Sequence, residues 1–204
     1  LRYAEKGWHM YKASRDSLAG GFFNRKTGLW WRDADFVAPF TTPNGKDCYW
    51  SRGNGWVYAA LVRAMDALQG DPHYKDYLAD FKTMTEALLK CQQPNMYWYA
   101  SLHDANDFGG KELTGTALFI YGMAWGVNNK HLDAARFRPI ILATWNTMVK
   151  DCLHHDGKLG YVQGTGKEPK DSQPVTFDRT PDFDDYGLGC FLLCGTAIAK
   201  LLLP

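Results

Sequence analysis

The sequence is short of the features that mark several common classes. Its five cysteines, Cys48, Cys91, Cys152, Cys190 and Cys194, are an odd number with no CxxC pair, so neither a disulfide framework nor a zinc site is indicated. An excess of one charge sign is also lacking. Lys and Arg total 23 against 22 Asp and Glu, for a net charge of +1, and without a basic footprint no nucleic-acid partner is expected. No apolar run is long enough to span a bilayer, so no membrane partner is expected. No secretory leader is recognisable. Leu1 rather than Met opens the chain, which points to a processed or shortened polypeptide and leaves a periplasmic or a cytoplasmic bacterial setting open. Alternating strand patterns are nearly missing as well. What is abundant is aromatic: 15% of residues, with 8 Trp and 11 Tyr among 204. Such an excess serves a large aromatic core or a surface for sugars and other rings, and the length suffices for one domain with a substantial core.

Apolar periodicity predicts an all-α chain. Residues 1–16 read as the end of a helix, with Tyr3, Trp8 and Tyr11 near helical spacing and no N-cap before them. Lys26-Thr27-Gly28 reads as a turn between two short apolar runs, a small hairpin or an extended loop. Pro39, Pro43 and Asn44-Gly45 make 34–49 a loop. Helices are then expected over about 55–69, 73–92, 114–127, 132–151 and 184–202, separated by long loops at 93–113 and 153–183. In the third, Tyr74, Tyr77, Leu78, Phe81, Met84, Leu88 and Leu89 form one stripe.

Three of these helices open alike. Gly53-Asn54-Gly55-Trp56, Gly115-Thr116-Ala117-Leu118 and Gly187-Leu188-Gly189-Cys190 each give a glycine, a small residue two places on, and then a bulky run. Each follows a long polar, aromatic loop, and the first two are followed by a more amphipathic helix. The unit is therefore loop, apolar inner helix, turn, amphipathic outer helix, and such pairs stack into a solenoid or a toroid. Small residues at the inner N-termini favour the toroid, with the loops gathered on one face. Two full hairpins plus a helix at each end look like half of such a ring.

The densest chemistry lies in Trp50-Ser51-Arg52-Gly53-Asn54-Gly55-Trp56. A guanidinium fork, two indoles and two glycines at a helix start suit a flat anionic ligand. The other reading makes the tryptophans core and pairs Arg52 with an internal Asp. Tyr97-Trp98-Tyr99 is a sugar platform or loop packing. Asp33 and Asp35 read as groups that orient Arg32, Arg52 or loop amides rather than as an acid and base. Asp182, Asp184 and Asp185 read as N-capping of the last helix. Asp104, Asn106 and Gly109 fail as an EF-hand because Phe108 takes a ligand position and no closing Glu follows. His154-His155 has no partner at metal spacing, Lys111-Glu112 reads as a surface pair, and Cys190 and Cys194 as small core residues.

Gly28-Leu29-Trp30-Trp31-Arg32-Asp33, Trp50-Ser51-Arg52-Gly53-Asn54-Gly55-Trp56 and Asp185-Tyr186-Gly187-Leu188-Gly189 resemble the unsaturated rhamnogalacturonyl hydrolases, glycoside hydrolases of family 105 related to the unsaturated glucuronyl hydrolases of family 88. The resemblance runs through the whole chain and implies the C-terminal half of an (α/α)6 barrel. It implies a substrate left by a polysaccharide lyase, an oligosaccharide with a 4,5-unsaturated uronate at its non-reducing end. An Asp protonates C4, water adds at C5, and the resulting hemiketal opens, so the carboxylate spacing of ordinary glycosidases does not apply. No metal and no organic cofactor is implied. By resemblance, Arg52 clamps the uronate carboxylate, Trp50 and Trp56 line the sugar site, Gly53 permits close approach, and Thr114 and Thr116 lie near substrate. Arg32 stands where several relatives have a histidine. The principal catalytic Asp of the family lies further upstream than this chain reaches, so an isolated chain is expected to be inactive. Half a ring would also bare apolar faces on its end helices and need the missing half-barrel or another chain over them. Two other readings are a non-catalytic carbohydrate-binding toroid and a sugar 2-epimerase-like toroid. The epimerase reading is disfavoured because His9, His73, His103, His131, His154 and His155 do not begin the inner helices.

Overall fold

The structure is a computed structural model that describes residues 2–179 and 185–203. Six α-helices carry it: α1 (Arg2–Asp16), α2 (Ser51–Ala67), α3 (Tyr74–Cys91), α4 (Leu113–Asn128), α5 (Ala134–Cys152) and α6 (Asp185–Leu202). The predicted hairpin is there as a two-stranded antiparallel pair, β1 (Phe23–Asn24) and β2 (Leu29–Trp30), with Phe23 opposite Trp30. Gly28 turns it at φ 75°, a left-handed conformation that glycine adopts without strain.

Helix α4 is the centre. Every residue from Leu113 to Val127 is buried, as expected of a helix packed on all sides. Helices α2 and α6 flank it, and α3 and α5 lie outside α2 and α4, giving an inner and an outer layer. The repeated small residues are where inner helices cross. A side chain at Gly115 would run into Ser51 of α2, and one at Gly122 into the ring of Tyr58. The outer helices bury one stripe each. Tyr77, Phe81, Met84 and Leu88 of α3 face the core, and Phe81 stacks on Tyr58 at 4.7 Å between ring centres.

Helix α1 leans on α3 through rings and one charge cluster. Trp8 stacks on His73 at 4.4 Å, while Tyr11 and Arg15 donate to Asp80 at 2.7 and 2.6 Å. Between α1 and α2 runs an open apolar groove of about 650 Å³, lined by residues that include Tyr3, Met10, Val57, Leu61 and Ala64.

Several local readings are corrected. Helix α2 begins at Ser51, four residues before the expected start, because Ser51 N–H is held by the Ala100 carbonyl and Asn54 N–H by that of Trp50. Lys111-Glu112 is not a surface pair: Lys111 bonds Asp151 at 2.9 Å, and Glu112 is buried as the cap of α4. Tyr97 and Trp98 are wholly buried and pack the loop. His154 stacks on Phe177 at 3.6 Å between ring centres. Cys190 and Cys194 are buried free thiols, as read. Asp182 and Asp184 lie outside the described residues.

Candidate functional site

The long loops gather where the inner helices begin. Asn54 makes the first junction there. It is buried in the first turn of α2, its Oδ1 accepts from Trp30 N–H at 2.8 Å, and its Nδ2 donates to the carbonyls of Trp30 and Trp50 at 2.9 and 3.0 Å. A side-chain amide thus stands in for a third strand beside β2. This brings Trp31 and Arg32 against α2 and leaves a cleft of about 330 Å³ lined by Trp30, Trp31, Arg32, Trp50, Gly53 and Asn54, among others. Among the described side chains, none that lines the cleft is a carboxylate. The indole Nε1 atoms of Trp30 and Trp31 are themselves buried, with no hydrogen-bond partner among the described residues, and a buried donor left so costs stability.

Arg32 is 45% exposed and ion-paired with Asp33, whose carboxylate also accepts from Asp35 N–H. The expected orienting role of Asp33 fits this geometry. At Gly53 the close approach is made by a neighbour: a Cβ would meet the Trp50 ring at 3.1 Å.

Arg52 is only 4% exposed. Its two terminal nitrogens donate to the carbonyls of Gln163 and Gly164, the second at 2.7 Å. Trp50 and Tyr186 cover it, with the guanidinium carbon 4.8 and 4.9 Å from their ring centres. Among the described side chains, which leave out Asp182, Asp184 and Asp185, it has no carboxylate partner, and it is buried rather than an open fork. Carbonyl oxygens and π-faces solvate the charge in part without neutralising it. Trp56 follows four residues later on the same helical face, 46% exposed.

Thr114 and Thr116 differ from expectation. Both are wholly buried. The Thr114 hydroxyl donates to Glu112 at 2.6 Å, and Glu112 also accepts from the backbone N–H groups of Thr114 and Gly115. Thr116 exchanges hydrogen bonds with the backbone of Trp98. These hydroxyls fix the start of α4 instead of facing a ligand.

Two further residues hold the loops: Asp104, which the sequence offered only as a rejected calcium ligand, and Gln163, which it did not flag. Asp104 is fully buried, and its Oδ2 accepts from Thr42 and Asn44 at 2.6 and 2.9 Å. The Thr42 hydrogen bond, with Asn44 behind it, holds the Asp104 carboxyl below its ordinary 3.8. Gln163, also fully buried, accepts from Trp50 Nε1 at 2.9 Å and anchors the segment that follows it. A lone Gln in a Gly- and Lys-rich stretch gives no periodic or motif signal by which to find it. Among the described residues no group of three or more His, Cys, Asp or Glu could hold a metal ion.

The family model for Glycosyl Hydrolase Family 88 matches residues 2–202. An unsaturated 3S-rhamnoglycuronyl hydrolase of Formosa agariphila is 32% identical over 185 residues, covering 88% of this chain and 47% of that protein. A protein of the same name from an Alteromonas species is 33% identical over 196 residues, covering 96% of this chain and 45% of its own length. Among solved structures, a glycosyl hydrolase family 88 protein from Bacteroides vulgatus matches with a TM-score of 0.88 and 36% identity, over 97% of this chain and 56% of that one. This chain therefore spans about half the length of the relatives it matches. The α/α toroid architecture and the resemblance to unsaturated uronyl hydrolases are both borne out. With a match from residue 2 to residue 202 and relatives aligned across nearly all of it, the chain belongs to glycosyl hydrolase family 88.

Proposed function

We propose that this chain forms the uronate-binding side of an enzyme that hydrates the C4=C5 bond of unsaturated uronyl oligosaccharides. The observation that carries the reading is Arg52, a buried guanidinium without a carboxylate partner among the described residues. A buried charge is stable only when paired or well solvated, and a uronate carboxylate would supply a partner that the described side chains do not. Two of its five N–H donors go to carbonyls, which fixes the fork while leaving donors for a ligand. Trp56, on the same helical face, offers an exposed ring on which a flattened unsaturated sugar can stack. The rings of Trp30 and Trp31, with Arg32 beside them in the cleft, suit the next sugar. Both curated relatives carry names with an unsaturated rhamnoglycuronyl group, so a uronyl–rhamnose unit is the substrate class proposed here.

In the proposed reaction an Asp protonates C4, water adds at C5, and the hemiketal opens and releases its neighbour. No carboxylate among the described side chains lines the cleft, and the acid is assigned to another part of the parent protein. The apolar α1–α2 groove is proposed to be covered by that part or by another half-barrel. The same lack of an acid suits a second reading, a binding protein without catalysis. Titration calorimetry with unsaturated galacturonyl-rhamnose tests the binding claim. R52A should weaken binding by roughly tenfold or more, the loss of a charge-assisted hydrogen bond, and W56A should weaken it through lost stacking. Equal affinity in wild type and R52A would remove the reading.

A further inference from the structure

We propose that Gln163 is the positioning residue of this anion site, fixing the Arg52 guanidinium and the Trp50 ring and holding residues 163–171 as the site's rim. Its functional consequence rests on the uronate-binding reading; its geometry does not. Gln163 is wholly buried and every polar atom it offers for this purpose is engaged. Its side-chain Oε1 accepts from Trp50 Nε1 at 2.9 Å. Its Nε2 faces the carbonyls of Glu168, Pro169 and Asp171 at 3.2, 3.2 and 2.8 Å. Its main-chain oxygen accepts from Arg52 and, at 2.7 Å, from the Tyr186 hydroxyl. One residue therefore joins the start of α2, the start of α6 and the loop between α5 and α6.

The chemistry explains why an amide sits here. One end must accept from an indole while the other donates to several carbonyls, and only a neutral amide does both at this reach. A carboxylate would set its charge against three carbonyl oxygens, and a thioether or aliphatic chain would leave an indole N–H and those carbonyls buried without partners. The rim that Gln163 holds is itself closed. Asp171 Oδ2 accepts from the backbone N–H groups of Lys167 and Glu168 at 2.7 and 3.2 Å, and Gln173 donates to the Pro169 carbonyl at 2.7 Å. Lys167 Nζ lies 6.0 Å from the ring centre of Phe36, in the segment that follows Arg32. The rim thus reaches from Arg52 towards the far side of the cleft. Arg52 cannot swing away while the Gln163 and Gly164 carbonyls hold it, and these carbonyls are placed by the buried amide.

The test is a double-mutant cycle on this chain with Q163M, R52A and the pair, read three ways. Nitrogen–proton NMR follows the Trp50 indole and the Arg52 guanidinium, hydrogen exchange follows 163–171 against the helices, and calorimetry follows unsaturated galacturonyl-rhamnose. In Q163M the Trp50 indole resonance should shift, exchange in 163–171 should rise about tenfold or more while α2, α4 and α6 stay protected, and affinity should fall about tenfold. In the R52A background Q163M should cost little further affinity, because both act through one group. Unchanged Trp50 and Arg52 resonances with an intact rim would overturn the proposal, and so would losses that add in the pair. If wild type binds no uronide while the resonances and exchange respond as stated, the uronate reading fails and the positioning of Arg52 by Gln163 stands.

Discussion

Asn54 is the residue on which the candidate cleft turns. Its amide meets both main-chain groups of Trp30 from inside α2, so this side chain makes the hairpin's polar junction with α2. N54A should destabilise the protein by about 2–3 kcal/mol, since three buried backbone groups lose a partner; chemical denaturation measures this, and a loss below about 0.5 kcal/mol would count against it. Asp104 makes a prediction in pH. Its folded carboxyl titrates below the ordinary value of 3.8 because Thr42 and Asn44 donate to the ionised form. The stability it adds is therefore complete above that ordinary value and is lost as pH falls through the lower folded one. Between pH 5 and pH 2.5, unfolding free energy should drop more steeply in wild type than in D104N, and parallel curves would contradict the assignment. At this scale the sequence spoke through residue type: Arg52 and Trp50 stood out as a cation beside an indole. It was silent on Gln163 and misplaced Thr114 and Thr116, because whether a hydroxyl or amide turns inward depends on partners far along the chain, 113 residues away for Trp50 and Gln163.

Among the elements, the helices were legible because α3 and α5 bury single stripes and α4 is apolar throughout. The start of α2 was not. Gly53 and Gly55 lower helix propensity, and the contacts that override this come from Ala100 and from the Asn54 side chain. The repeated glycines announced the inner helices, and their role is close packing. G115A should push α4 from α2, since the added methyl meets Ser51 side chain and backbone together. An overpacking cost of about 1–3 kcal/mol is expected, with a lowered thermal midpoint as the readout; an unchanged midpoint would show that the crossing has slack. The hairpin was readable from its turn residues, whereas its docking on α2 depended on Asn54 and was not.

For the molecule as a whole, the layered arrangement gathers the loops at one end and leaves Trp56, Leu188 and Leu192 exposed on α2 and α6. The apolar groove beside α1 adds to that surface. The proposal that another part of the protein covers this face accounts for such exposure, and the chain is about half as long as its relatives. The central claim is that Arg52 holds the uronate of an unsaturated oligosaccharide during hydration of its double bond. The most direct measurement is the ultraviolet absorbance of the conjugated enol ether of unsaturated galacturonyl-rhamnose, followed with this chain and with a version extended by its upstream sequence, each as wild type and R52A. The account predicts that the extended protein bleaches the signal, that R52A slows it by about a hundredfold or more through lost transition-state and ground-state binding, and that this chain alone binds without bleaching. Bleaching that proceeds equally in R52A, or an extended protein that leaves the double bond intact, would contradict it.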